Sequence, residues 1–383
     1  MGIPSLAASE HSEIRALWVT RFHMRTPEQI DRLVRDAVSA NFNTLFVQVR
    51  GNGETLYPSF LEPRSPLIKN PSFDPLSYTL QRAHAKGLEV HAWLNVFYVW
   101  SKDQPPSSKN HVLLSHPDWV SRYRDGRSPL QMSQSERASR GAEGVFLDPA
   151  LPEVRTYVLE LCREIWRRYA VDGIHLDYFR YAGSGWGYPP ESRVAFKRRY
   201  GVDPVSLSPK KDPALSSAWS TFRIEQMNVL LSLLARFLEI ERPTLKLSAA
   251  VFPDVSQAKL LKGQAWDDWL KKEWLDFVVP MAYHPNDEQV FSQVGPILKI
   301  PHHRLVVIGL GAWQQKPWEI VRKIEKIRRE TKDQDQYGGV SLFSYDRIGY
   351  EKGYLSYLKR TIFKNPASLP TFSWKPASDL VQF

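Results

Sequence analysis

Cysteine is nearly missing from this sequence. Cys162 is the single thiol in 383 residues, which excludes a disulfide framework and a thiolate metal site. Its setting, VLELCREIW, reads as the apolar face of a helix, so the thiol is expected to be inert core. No run of 18 apolar residues occurs, and no membrane span is expected. The opening MGIPSLAASEHSE has neither a basic segment nor a long apolar one, so no intact signal peptide is expected in this form of the chain. That also fits a trimmed mature chain with a new Met, and it leaves localisation open. There is no internal repeat and no RNA- or DNA-binding motif, so nucleic acid is not an expected partner. No His-x-His or His-x-x-x-His pair opens a metal site, and GLGAW, at 309–313, is too short a glycine signal for a phosphate site. Neither a metal nor another cofactor is expected, and nothing in the pattern speaks to oligomeric state.

What is present is charge and aromatic surface. The net charge of +10 favours acidic partners such as an anionic polysaccharide. Much of the excess falls on an ordinary helix face, at Arg322, Lys323, Lys326, Arg328 and Arg329, so it is a bias and nothing more. The 13 tryptophans are more than a core of this size needs to be explained by one use. Flat rings stack on the C–H faces of sugars, and they also fill large cores.

Eight short apolar runs recur, at 14–20, 44–50, 89–96, 173–181, 246–252, 277–283, 305–311 and 339–345, most of them followed by an amphipathic stretch. TPEQIDRLVRDAVSA begins with Thr26 as a cap and Pro27 at the first helical position. DPLSYTLQRAHAKG starts with Asp74 and Pro75 and stops at Gly87. Eightfold strand–helix alternation predicts an α/β fold, a (β/α)8 TIM barrel, over residues 12–361. Residues 362–383, with several prolines and no periodicity, are expected to form a C-terminal surface tail. The connections 97–151 and 182–216 exceed ordinary loop lengths. They follow strand ends, so both are expected over the C-terminal face, where barrel enzymes carry their sites.

Strand side chains alternate between faces, and parity sorts the candidates. In the second strand Leu45, Val47 and Val49 face the helices, leaving Phe46, Gln48 and Arg50 for the interior. In the third, His91, Trp93 and Asn95 face in. In the fourth, DGIHLDYFRY, Ile174, Leu176 and Tyr178 go out, leaving His175, Asp177 and Phe179. Arg180, of opposite parity or at the loop start, would clamp a loop. Asp276, just before the sixth strand, lies at the bottom of the barrel and serves stability. A buried carboxylate costs free energy unless it is paired or used. The alternatives for this polar interior are a structural network that fixes the barrel, a site for binding sugar without catalysis, and a metal site at His91, His175 and Asp177 as in deacetylases or amidohydrolases.

Five ordered motifs, IRALWVTR, FNTLFVQVRGNGETLYPS, HAWLNV, DGIHLDYFRY and WLDFVVPMAYH, resemble the bacterial glycosyl-hydrolase-like 10 family, which includes a divisome-associated hydrolase of peptidoglycan glycan strands. The resemblance covers roughly residues 12–350. It implies hydrolysis of a glycosidic bond by carboxylates, with a polysaccharide or oligosaccharide as the partner and a secreted, periplasmic or cell-envelope setting. Glu54 stands where the family more often has Asp, and Tyr178 where many members have a second Asp after the one matched by Asp177. Glycoside cleavage uses two carboxyl groups, one to protonate the leaving oxygen and one to attack or to activate water. Asp177 is the expected nucleophile or base. Asp254 and Glu54 are the expected candidates for the acid, in that order, with Asp346 a third. Gln48, Arg50, His91, Asn95, His175 and Tyr345 are expected to contact substrate. Trp93, Tyr283 and Trp313, with Tyr98, Trp100, Trp186 and Tyr188, are expected to offer stacking surfaces.

Overall fold

A computed structural model describes residues 12–376. Eight parallel strands close into a barrel: β1 (Ile14–Val19), β2 (Thr44–Gly51), β3 (Glu89–Asn95), β4 (Gly173–Asp177), β5 (Lys246–Val251), β6 (Phe277–Pro280), β7 (Leu305–Gly311) and β8 (Tyr337–Phe343). Each pairs with its neighbours in sequence, and β1 closes the ring by pairing with both β2 and β8. The expected TIM barrel is the fold. Helices pack outside it, among them α1 (Pro27–Ser39), α2 (Pro75–His84), α3 (Pro152–Arg168) and the long α4 (Pro213–Glu241). The Thr26 hydroxyl accepts from the Gln29 N–H and Asp74 caps α2 in the same manner, satisfying donors that a helix start leaves free.

The apolar residues divide into two sets. Leu45, Val47, Val90, Ala92, Ile174 and Leu176 pack between the barrel and its helices. Ile14, Ala16, Trp18, Phe46, Trp93, Phe277 and Val307 fill the barrel itself. Both long connections lie at the C-terminal end. Residues 97–151 carry a small antiparallel pair, Tyr98–Trp100 with Val145–Phe146, and two short helices. Residues 182–216 carry a further helix, Pro190–Tyr200, whose Phe196 packs with Tyr188, Trp219 and Phe222 in a cluster of its own. At the opposite end the tail crosses the barrel floor. Phe372 enters the interior beside Phe277, the Trp374 indole donates to Asp276 at 2.6 Å, and Lys375 pairs with Asp276 at 3.1 Å. Residues 377–383 of the tail lie outside the described residues.

Strand parity breaks in two places, and each break has a local cause. In β2 the register against β3 skips a residue between Gln48 and Arg50. Such a bulge turns the following side chain to the other face. Arg50 therefore leaves the barrel interior and makes a two-pronged bond to Glu62 (2.8 and 2.5 Å). Tyr157 of α3 donates to the same carboxylate. Arg50 is fully buried there, so the expectation that it meets substrate is corrected. In β4 the strand stops at Asp177 because Tyr178 adopts a left-handed conformation (φ 50°), costly for a bulky residue. The kink sends Tyr178 inward to the mouth and Phe179 outward, where it stacks on Phe97 at 5.4 Å. Both reverse the expected facing.

Breaking a buried ion pair on one side leaves the other charge uncompensated, at roughly 3–5 kcal/mol. Glu62→Ala should lower unfolding stability by that amount. The double change Arg50→Met with Glu62→Leu should recover most of it. Denaturant melts of the two variants beside the parent chain measure both.

Candidate active site

A cleft of about 500 Å³ opens at the C-terminal mouth of the barrel. Its floor is Trp18, Gln48, Trp93, Asn95 and Asp177, and its walls are Arg21, Phe22, Asn52, Tyr98, Tyr178, Arg180, Phe252, Tyr283 and Phe343. The larger hollow, about 720 Å³, lies between His302, His303 and the tail residues Thr371 and Trp374. That is the bottom of the barrel, the end that serves stability in this architecture.

Asp177 is the carboxylate of the cleft. One oxygen accepts from the Trp93 indole N–H at 3.2 Å and the other from the Tyr178 backbone N–H at 2.6 Å. Burial raises its pKa to about 6, although the Tyr178 N–H, the Arg180 charge and the Trp93 bond all pull the other way. Desolvation thus outweighs three favourable contacts. Arg180 does not pair with Asp177. It bonds Glu143 at 2.8 Å and so ties the end of β4 to the 97–151 connection.

Two polar atoms around this carboxylate are buried without a partner, the Tyr283 hydroxyl and the Asn95 carbonyl oxygen. Asn95 is the register partner of Asp177 on the neighbouring strand. Tyr283 stacks on Phe343 at 5.6 Å and is backed edge-on by Trp313 at 5.2 Å. Burial lifts its hydroxyl pKa far above the ordinary value, and Asp177 adds to the effect. It is therefore a donor and not a phenolate. A lone acceptor and a lone donor flanking a protonatable acid are groups that a sugar's hydroxyl or amide can satisfy.

The structure brings Asp177, Gln48, Trp93, Asn95 and Tyr283 together and separates the other expected residues. His175 sits one layer deeper, stacked on Phe46 at 4.4 Å and bonded to Ser248 at 2.8 Å, and burial holds its pKa well below the ordinary value. His91 lies deeper still, with its ring nitrogen 3.3 Å from Glu89. Neither lines the cleft, because Trp18 and Trp93 cover the layer in which His175 and Phe46 stack. Tyr345 follows the turn after β8, and its hydroxyl bonds Asp36 of α1 at 2.7 Å. That turns it away from substrate. Trp313 supports the wall from behind. Trp186 and Trp100 are buried in loop cores with their indoles on the backbone oxygens of Arg140 and Gln104.

The three acid candidates also part company. Asp254 is an exposed helix cap, accepting from the Gln257 N–H at 2.9 Å, and lines a separate hollow with Gln257 and Gln289. Asp346 is held by Thr20, His23 and Ser344, and for all its burial these bonds bring its pKa down to about 2. Glu54 is on the short strand after β2, half-buried, bonded to Ser65 at 3.1 Å, with its pKa raised by burial. It pairs with Gly51 across the turn and does not line the cleft, which Asn52 of that turn does. Alternation in the first strand points Trp18 inward, and the turn that follows carries Thr20, Arg21 and Phe22 to the mouth, three residues that the reading of strands two to four misses.

The site is thus a buried carboxyl among aromatic rings at the mouth of a closed TIM barrel. The family Glycosyl hydrolase-like 10 matches residues 13–294, well over half of the chain, and the chain belongs to that family, as its five motifs implied. Among curated proteins it is 22% identical over 320 residues to the glycosyl hydrolase YngK of Bacillus subtilis, covering 74% of this chain and 56% of that one. It is 27% identical over 279 residues to the glycosyl hydrolase DigH of Escherichia coli, covering 67% and 57%. The chain thus spans little more than half the length of these relatives. Among solved structures, the glycoside hydrolase domain of PgaB (BpsB) from Bordetella bronchiseptica has a TM-score of 0.67 at 16% identity, with 94% of this chain and all of that one aligned. The catalytic domain of β-amylase from Paenibacillus polymyxa has a TM-score of 0.56 at 13% identity, covering 94% and 99%. At these identities the likeness is one of fold.

The raised pKa of Asp177 has a signed consequence for stability. A carboxyl near 6 when folded and 3.8 when not binds its proton more tightly in the native state. Its contribution is full below pH 3.8 and is lost as pH rises through about 6. Asn cannot lose it. Whatever its offset, the stability of Asp177→Asn relative to the parent should therefore climb between pH 4 and 7, by on the order of 3 kcal/mol. Melting curves across that range that stay parallel would contradict the assignment.

Proposed function

We propose that this protein is a glycoside hydrolase that cleaves a polysaccharide, either the glycan strand of peptidoglycan or another bacterial or anionic glycan. The observation that carries the reading is Asp177, a buried carboxyl at the barrel mouth with a pKa of about 6, in a cleft walled by Trp93, Tyr98, Tyr178 and Tyr283. Membership of a glycosyl-hydrolase-like family, and relatives named glycosyl hydrolase, support it.

The chemistry revises the role expected for this residue. A carboxyl held near 6 carries its proton long enough at neutral pH to give it to a leaving oxygen, the general-acid role. The second carboxylate is then Glu54, which would activate a water from the rim. Gln48 and Asn95 hold sugar hydroxyls, and Trp93 both supports the ring and fixes Asp177. One observation favours a second reading. Asp177 is the one carboxylate that lines the cleft among the described residues, and Tyr283 presents an unpartnered hydroxyl close enough for the two groups to interact electrostatically. A sugar carrying a 2-acetamido group can supply its own nucleophile, and Tyr283 would then hold that amide oxygen.

Release of reducing ends from a panel of bacterial glycans tests the function. Asp177→Asn should lower turnover by orders of magnitude while the fold persists, and a substrate with a leaving group that needs no proton should recover much of the loss. Near-parental turnover by Asp177→Asn would overturn the assignment. Glu54→Gln separates the two readings. A similar loss supports the water-activating base, and near-parental rates support the nucleophile borne by the substrate.

A further inference from the structure

Two cations line the cleft, Arg21 and Arg180, and they are in opposite states. Arg180 is neutralised by Glu143 at 2.8 Å. Arg21 has no carboxylate within ion-pair distance among the described residues. Glu54 acts on it electrostatically but forms no ion pair with it. Its position is built nonetheless. The Gln48 side-chain oxygen accepts from both the Arg21 backbone N–H and its Nη1, each at 3.2 Å. The guanidinium also lies over the Phe22 ring at 4.7 Å. Of its five N–H donors, only Nη1–H has a hydrogen-bond partner among the described residues, and the side chain lines the cleft. A half-buried guanidinium that is oriented, charged and unpaired is poised for an anion, and its planar fork matches a carboxylate.

We propose that Arg21 is an anion subsite that takes a carboxylate carried by the glycan. Arg21 is anchored on Gln48 of β2 and lines the same cleft as Asp177, so a glycan seated at the acid also meets the guanidinium. The inference rests on the glycan-cleaving reading above and adds to it a residue that selects acidic sugars. It also assigns a local meaning to a small part of the net positive charge.

Gly51 provides a second handle. A Cβ built there would stand 2.9 Å from Arg21 Nη1 and 3.2 Å from Gln48 Nε2. Gly51→Ala should therefore displace the guanidinium without removing its charge, and the atoms that must yield are the ends of flexible side chains.

The test is a binding measurement, kept apart from turnover. Alginate, polygalacturonate and lactyl-bearing amino-sugar strands are each offered beside their carboxyl-reduced forms, to the full chain in the Asp177→Asn background. At least one acidic member should bind roughly tenfold or more tightly than its reduced partner, the scale of one charge-assisted hydrogen bond. Arg21→Gln should abolish that preference, Arg21→Lys should retain part of it, and Gly51→Ala should weaken it. Circular dichroism confirms that each variant is folded. Equal affinity for every acidic and reduced pair, binding of none, or a preference that survives Arg21→Gln would each overturn the inference. A preference lost with Arg21, in a parent chain that releases no reducing ends, would uphold the subsite and count against hydrolysis alone.

Discussion

The buried contact between Arg50 and Glu62 is the constraint on which the shape of the cleft depends. The guanidinium spends two nitrogens on Glu62, and its third reaches the backbone oxygens of Asn95 and Val96 at the end of β3. Tyr157 brings α3 to the same carboxylate. One ion pair therefore joins β2, the segment after it, the end of β3 and a helix. The Val96 N–H in turn donates to the Asp177 backbone oxygen at 2.7 Å, so the position of the acid is tied to this cluster through one peptide unit. Buried charge of this kind is poor at adding net stability and good at fixing one arrangement over others. Here the arrangement fixed is the rim of the site.

Above that constraint the barrel interior is graded. Phe46, Phe277 and the neutral His175 make a dry middle, Trp18 and Trp93 form the next layer, and Asp177 and Asn95 end it. Three costs meet at the top, where a carboxylate is desolvated, a tyrosine takes a left-handed backbone and two polar atoms lack partners. Local conflicts of this kind are common at functional sites.

The fold was legible from strand–helix alternation alone, and so was the facing of four residues at the cleft floor. Parity placed Gln48, Trp93, Asn95 and Asp177 in the interior, and the structure sets all four on the cleft floor. What parity could not carry was any departure from a regular strand. One extra residue in β2 removed Arg50 from the interior, and one left-handed residue after β4 exchanged Tyr178 and Phe179. Depth was equally hidden. Alternation reports the face and not the layer, so His91 and His175 share the facing of Trp93 and Asp177 yet never meet the cleft. Acids beyond the strand ends were the least legible, since no local pattern tells that Asp254 caps a helix while Glu54 accepts from Ser65.

The barrel floor has a mechanical consequence. Ser12 pairs with Ser368 in a parallel bridge, the Glu13 backbone N–H donates to the Ser368 backbone oxygen at 3.0 Å, and Phe372 and Trp374 are seated beneath the strands. The two ends of the described chain thus meet on the face opposite the cleft. A pull applied through both ends would load these few contacts before any barrel strand slid past its neighbour. The mouth, held by Arg50 and its partners at the far end of the strands, would be insulated from that strain. Ser12 and Ser368 thus lie on the side that a long polymer does not need to approach.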